Sequence, residues 1–185
     1  MVLNDRSTEM AETPGLVHVI PAGTFQPTMQ DRRFLDIEFS FTENLVREFV
    51  EELYNDKGIS GRPSHAVLVS DLNDLFGPLG QKFRETVYRF NRYKLMYLGT
   101  VIDPVNLKPE ALTVFMIHEG YLYGISGKHL ELSWETQGGR IRLIEFNEEN
   151  LTSYINDPNL VPTAKAHLMM VRTHFPNLLE ELQSI

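Results

Sequence analysis

Three glutamates, Glu48, Glu51 and Glu52, lie close together in one segment of the chain. Residues three or four positions apart are neighbours on the surface of a helix, so these carboxylates could approach one another. Negative charges this close repel each other unless water, a proton or a cation intervenes. Hard divalent cations such as Mg²⁺ and Mn²⁺ prefer oxygen ligands. The spacing therefore fits a metal site, and it fits equally the solvated face of an amphipathic helix.

The segment that carries these glutamates predicts a helix over residues 41–55. Ser40, followed three residues later by Glu43, is the capping-box pattern of a helix start. The apolar side chains between Leu45 and Leu53 fall on one broad face, and the three glutamates gather on the opposite face with Asn44. We expect the apolar face to pack and the acidic face to remain in solvent.

Composition limits the classes of protein and of site. The chain has 185 residues, 42% of them hydrophobic, which fits one globular domain with its own core. It has no Cys, which excludes disulfides and zinc–thiolate sites. The net charge of -8 disfavours direct nucleic-acid binding. The chain has no apolar run long enough to span a membrane and no amino-terminal signal pattern, so we expect a cytoplasmic protein without membrane contact.

The rest of the chain predicts alternating strands and helices within one domain, residues 16–185. Residues 1–15 are polar and end in a Pro-Gly pair, so we expect a flexible tail there with little to pack. We predict strands at residues 16–20, 94–102, 111–118, 130–134 and 140–146, and helices at residues 81–93, 147–155 and 164–174. Pro176 interrupts the last helical pattern, so residues 177–183 are either a kinked continuation or a separate short helix.

The run Arg47-Glu48-Phe49-Val50-Glu51-Glu52 resembles the second half of the Nudix box, the motif of the Nudix hydrolase-like superfamily. Upstream, the strand and turn Val19-Ile20-Pro21-Ala22-Gly23 look like those that precede the box helix. Downstream, Glu131-Leu132-Ser133-Trp134 resembles a late strand of that family, and Val161-Pro162-Thr163-Ala164 resembles the opening of its final helix. These matches occur in the same order as in the family, and together they span most of residues 16–175.

The resemblance implies an α/β fold, a Nudix-like α/β/α sandwich around a mixed β-sheet. It also implies hydrolysis of a nucleoside-diphosphate-like phosphoanhydride with bound Mg²⁺ or Mn²⁺. By position, Glu48, Glu51 and Glu52 would be metal ligands, and Arg47 would orient them. A catalytic base would come from Glu52 or from a later residue, with Glu131, Glu119 and Glu110 as candidates. Gly23 and Phe25 would contact the substrate, with Phe25 stacking on a base.

Departures from the family pattern leave two function classes open. The chain between Gly23 and Arg47 is longer than the compact loop of the box, and Tyr54 stands where the pattern has a Gly. A Tyr adopts the left-handed backbone less readily than a Gly does. The first class is the metal-dependent hydrolase. The second is a regulatory domain that senses a nucleotide or binds a partner protein without turnover, and a homodimer is an alternative to a monomer in either class.

The other features of possible chemical interest have simpler explanations. The six His are scattered and lack the spacing of a zinc protease, so core or surface positions account for them. Aromatic and basic residues alternate between Phe83 and Tyr97, which fits base stacking or, more commonly, a helix with one buried side.

Overall fold

The structure is a computed structural model, and it describes residues 1–6, 14–22, 40–42, 44–45, 48, 52, 93–103, 107–117 and 140–185. These residues form five strands and three helices: β1 (Val2–Asp5), β2 (Val17–Val19), β3 (Tyr93–Ile102), β4 (Pro109–Ile117), β5 (Arg140–Leu143), α1 (Glu148–Ile155), α2 (Pro162–Thr173) and α3 (Phe175–Gln183). The residues at positions 41, 42, 44, 45, 48 and 52 are also helical. The predicted mixture of helices and strands is confirmed. The predicted strand at 130–134 lies outside the described residues, and so does the predicted helix at 81–93 except for its last residue, Tyr93, which begins β3.

Strand β1 is the centre of a three-stranded antiparallel sheet with the order β2-β1-β5. Leu3, in the middle of β1, is fully buried and pairs with Val19 on one side and Arg142 on the other. The expectation of a tail with little to pack is therefore wrong for Val2–Asp5. Four residues are too short to show an alternating pattern that distinguishes a strand from a polar tail, and only the two partner strands make this segment a sheet centre.

Strands β3 and β4 form a second antiparallel sheet, a long hairpin. The pairing shifts register between Tyr97 and Gly99, and Gly99 has a φ of 146°. An L side chain rarely adopts that backbone, so the shift in the strand needs the glycine. All strand pairs among the described residues are antiparallel, and the mixed sheet expected from the resemblance is not seen there. Val17 does form an isolated parallel bridge with Leu160.

The helices follow their local signals. Asn147 caps α1, since its side-chain oxygen accepts a hydrogen bond from the Asn150 N–H at 2.8 Å. Pro162 occupies the first turn of α2, where its missing N–H is harmless. Pro176 does the same at the start of α3, so the structure selects a separate helix rather than a kinked one.

One core joins the helices to both sheets. Helix α2 packs on α1 and contacts β2, β3 and β4. Two backbone hydrogen bonds tie β2 to the start of α2, from the Val17 N–H to Asn159 O and from the Val161 N–H to Val17 O, both 2.9 Å long. The buried apolar residues are Leu3, Val17, Leu98, Leu112, Met116, Leu151, Ile155, Leu160, Val161, Ala164, Leu168, Val171, Phe175 and Leu178. No helix among the described residues has the length and apolar character needed to cross a membrane.

Candidate functional site

A small cleft lies beside the three-stranded sheet. Its volume is about 30 Å³, enough for a water molecule. It is lined by Asn4, Arg6, His18, Val19, Ile20, Ala22 and Glu52. Asn4 and Glu52 are the buried polar or charged residues of the described part of the chain, and both line this one cleft. Buried polar groups need partners, so their convergence marks the cleft as the candidate functional site.

The sheet places Asn4, Arg6 and His18 together. Asn4 and Arg6 are two positions apart at the carboxyl end of β1, and alternate residues of a strand point to the same face. Asn4 pairs directly with His18 on β2, so these two side chains also share that face. The Arg6 N–H donates to Leu16 O at 2.9 Å and extends the pairing past the strand end.

Glu52 enters the cleft from the helix that was predicted from the capping box. The backbone N–H of Ala22 lies 3.3 Å from both carboxylate oxygens of Glu52 and donates to them. Glu52 is only 7% exposed. The expectation that the acidic face would remain in solvent is therefore wrong at this position. The contact joins two segments that the resemblance had linked, the Pro-Ala-Gly turn and the last glutamate of the box core.

Glu48 and Asn44 precede Glu52 by four and eight positions, and all three are helical. Successive steps of four residues keep side chains on one slowly turning face of a helix. Asn44 and Glu48 are half-buried. The Asn44 Nδ2 atom is buried and has no hydrogen-bond acceptor in the protein. The predicted polar face therefore turns partly inward along this helix.

Burial controls the charge of His18. It lowers the pKa of His18, a hydrogen bond with the Val19 carbonyl opposes that effect, and the positive charge of Arg6 lowers the pKa further. The Nδ1 atom lies 2.7 Å from Val19 O. A carbonyl oxygen only accepts, so Nδ1 carries the hydrogen and Nε2 of the neutral ring is an acceptor. At neutral pH, the cleft therefore contains a neutral imidazole.

A second half-buried histidine, His167 on α2, lies within electrostatic range of His18. Its pKa is also lowered, first by burial and further by a positive charge on His18 when that ring is protonated, while a hydrogen bond with the backbone of Thr113 raises it. Both rings, one on the three-stranded sheet and one on α2, therefore favour the neutral form. Their partial burial makes the stability of the folded protein sensitive to acid.

The oxygen atoms of the cleft suit a hard cation in chemical type. Glu52 contributes a buried carboxylate, and Asn4 Oδ1 is a buried amide oxygen without a hydrogen-bond donor in the protein. The guanidinium of Arg6 opposes a cation. No group of three or more His, Asp or Glu residues in the described part of the chain is arranged to hold a metal ion. A cation in this cleft would therefore rely on Glu52, the Asn4 amide and water, as weakly chelated Mg²⁺ does.

Only one of the other predicted site residues, Glu110, is among the residues that the structure describes. Glu110, a candidate base, is on β4 opposite Val101 and does not line the cleft. The remaining predicted residues lie outside the described part of the chain: Gly23, Phe25, Arg47, Glu51, Glu119 and Glu131.

Sequence reasoning missed Asn4, Arg6 and His18 as members of the site. The first two fell within the expected tail. His18 was assigned to a core or surface position, although a His between Val17 and Val19 interrupts an apolar strand. That interruption is the one signal that pointed to a polar sheet face.

In comparisons with known proteins, the chain matches no family model, no curated protein and no solved structure.

Proposed function

We propose that this protein is a divalent-metal-dependent hydrolase of a nucleoside-diphosphate-like phosphoanhydride, built as an α/β/α sandwich of the Nudix type. The single observation that supports this most directly is the buried Glu52 carboxylate next to the Ala22 N–H. It joins the helix that carries Glu48 and Glu52 to the turn at Ala22, and the resemblance rests on these two segments. A buried carboxylate in a cleft is also a typical functional group.

In this proposal, Glu52, Glu48 and Arg6 have separate tasks. Mg²⁺ or Mn²⁺, when bound, would supply Lewis acidity and would lower the pKa of a coordinated water. Glu52 would hold the cation and would accept a proton from water. Glu48, one helical turn earlier, adds negative charge at the same face. Arg6 neutralises an oxygen of the leaving phosphate, which otherwise gains negative charge in the transition state.

The presence of Arg6 in the cleft also favours a second candidate function, that of a regulatory domain that binds a nucleotide without turnover. A guanidinium already supplies positive charge in the cleft and can bind a phosphate by two parallel hydrogen bonds. Phosphate binding by Arg6 would need no metal. The two candidates therefore differ in whether Glu52 and a divalent cation are required.

Hydrolysis of a panel of nucleoside-diphosphate-linked compounds with Mg²⁺ or Mn²⁺ tests the first candidate. We expect release of a nucleoside monophosphate or phosphate from at least one compound and loss of that release in Glu52→Gln. Glu180→Gln, on the exposed side of α3, is the matched control and should retain full activity. Absence of turnover, with metal-independent nucleotide binding that survives Glu52→Gln and is lost in Arg6→Gln, would favour the regulatory domain.

Thermal unfolding gives a test that does not need the substrate. A cation that binds only the folded protein stabilises it by about 2.7 kcal/mol when its concentration is 100 times the dissociation constant. For a domain of this size, that raises the melting temperature by about 5–11 °C. We expect a shift of this kind with Mn²⁺ in the wild type and in Glu180→Gln, and a much smaller shift in Glu52→Gln.

A further inference from the structure

The side chain of Asn4 is a second buried polar group in the Glu52 cleft, and the proposed reaction assigns it no task. It is 7% exposed, and its Oδ1 atom is buried without a hydrogen-bond donor from the protein. Leaving a buried acceptor unsatisfied is unfavourable, whereas an apolar residue of the same size would fit at no such cost. An asparagine at this position therefore points to a binding partner in the cleft.

The neighbouring groups restrict the chemistry of that partner. Among the side chains that line the cleft, the carboxylate of Glu52 and Nε2 of the neutral His18 ring accept hydrogen bonds. Arg6 is a donor in the same lining, but it donates no hydrogen bond to Asn4 Oδ1. A partner that satisfies Asn4 Oδ1 must donate a hydrogen bond or carry positive charge. A phosphate oxygen does neither, since it only accepts. The volume of about 30 Å³ is that of a site for water or a small ion rather than for a nucleotide base.

We propose that Asn4 positions a water molecule, free or bound to a divalent cation, in the cleft beside Glu52. The water donates one hydrogen to Asn4 Oδ1 and the other to the Glu52 carboxylate. Its lone pairs then point away from both residues, which is the orientation needed to coordinate a cation or to attack phosphorus. The role of this water in hydrolysis rests on the proposed function, whereas its position in the cleft does not.

The test compares Mn²⁺ affinity, measured by electron paramagnetic resonance, in the full-length wild type and three variants. Asn4→Leu removes the acceptor, and we expect it to weaken Mn²⁺ binding about 10-fold or more, the usual effect of losing a partner behind a metal ligand. Asn4→Asp keeps an acceptor and should bind Mn²⁺ at least as tightly as the wild type. Asn156→Leu, at the exposed end of α1, is the matched control and should bind as the wild type does. Thermal unfolding of each variant establishes that it is folded.

Kinetics and crystallography complete the test. If the wild type hydrolyses a substrate, Asn4→Leu should lower kcat with little change in KM, because the water and not the substrate is displaced. A crystal structure of the wild type should show a water or hydrated Mn²⁺ within hydrogen-bond distance of both Asn4 Oδ1 and Glu52.

The outcomes separate this proposal from the proposed function. Equal Mn²⁺ affinity in Asn4→Leu and the wild type, together with no water on Asn4 Oδ1 in the crystal structure of the wild type, would overturn the role of Asn4, even if the wild type is an active hydrolase. Weaker Mn²⁺ binding in Asn4→Leu, with no hydrolysis by the wild type, would support Asn4 and count against the hydrolase. If the wild type binds no Mn²⁺, its crystal structure tests whether Asn4 Oδ1 holds a water. A protein donor on Asn4 Oδ1, or no water there, overturns the proposal.

Discussion

Replacement of Leu3 by Ala tests whether β1 lies in the core. Leu3 is 0% exposed and lies at the centre of the three-stranded sheet. Its truncation removes the full transfer free energy of the lost atoms and leaves a cavity, which together cost about 2–5 kcal/mol in buried leucines. With a central value of about 3 kcal/mol, and about 2–4 °C per kcal/mol for a chain of this length, the melting temperature should fall by about 6–12 °C.

Urea unfolding followed by circular dichroism measures the loss in free energy of unfolding, and thermal unfolding measures the fall in melting temperature. Leu143→Ala provides the matched control. Leu143 lies on β5 of the same sheet but is 54% exposed, so its truncation should cost about 1 kcal/mol or less. Well below the melting temperature, folded Leu3→Ala should bind Mn²⁺ as the wild type does, because the variant keeps every polar group of the cleft. Equal stability of the two variants would refute the placement of β1 in the core and, with it, the position of Asn4.

Two further predictions concern acid and helix capping. His18 and His167 both have a lowered pKa in the folded protein, so the unfolded chain binds more protons as the pH falls below about 6.5. The free energy of unfolding should therefore decrease from about pH 7 towards pH 5. In urea titrations at several pH values, His167→Gln should reduce this dependence on pH. An unchanged dependence would contradict burial of a neutral ring. Asn147→Ala removes the acceptor for the Asn150 N–H and should cost about 1 kcal/mol, with Asn147→Asp close to the wild type; equal loss in both variants would exclude the cap as the cause.

Local sequence signals were sufficient to predict two of the strands and two of the helices. Strands β3 and β4 were both predicted, the second from its β-branched and aromatic residues, and both are confirmed. Helix α1 was predicted from the composition that follows Asn147, and α2 from its periodicity after Pro162. In each case, the residues that decide the structure lie within one element, so no distant contact is needed to recognise it.

The candidate site was predicted in part. The sequence singled out Glu52 by its spacing and by the resemblance to the Nudix box, and the structure places Glu52 in a cleft with Ala22 of the expected turn. The roles in metal binding and catalysis remain predictions. The exposure of the acidic face was predicted wrongly at Glu52, because helical periodicity describes which residues share a face and not what covers that face.

The sequence by itself determined that this is a mixed α and β chain without disulfides, and it identified the helix that carries the buried glutamate. The tertiary structure alone decided that four residues at the start of the chain form the centre of a sheet, and that Asn4, Arg6 and His18 meet Glu52 there. The reason is physical. Helical propensity and strand periodicity act between neighbours in the chain, whereas the cleft arises from pairing between β1 and β2 and from a contact across 30 positions between Ala22 and Glu52.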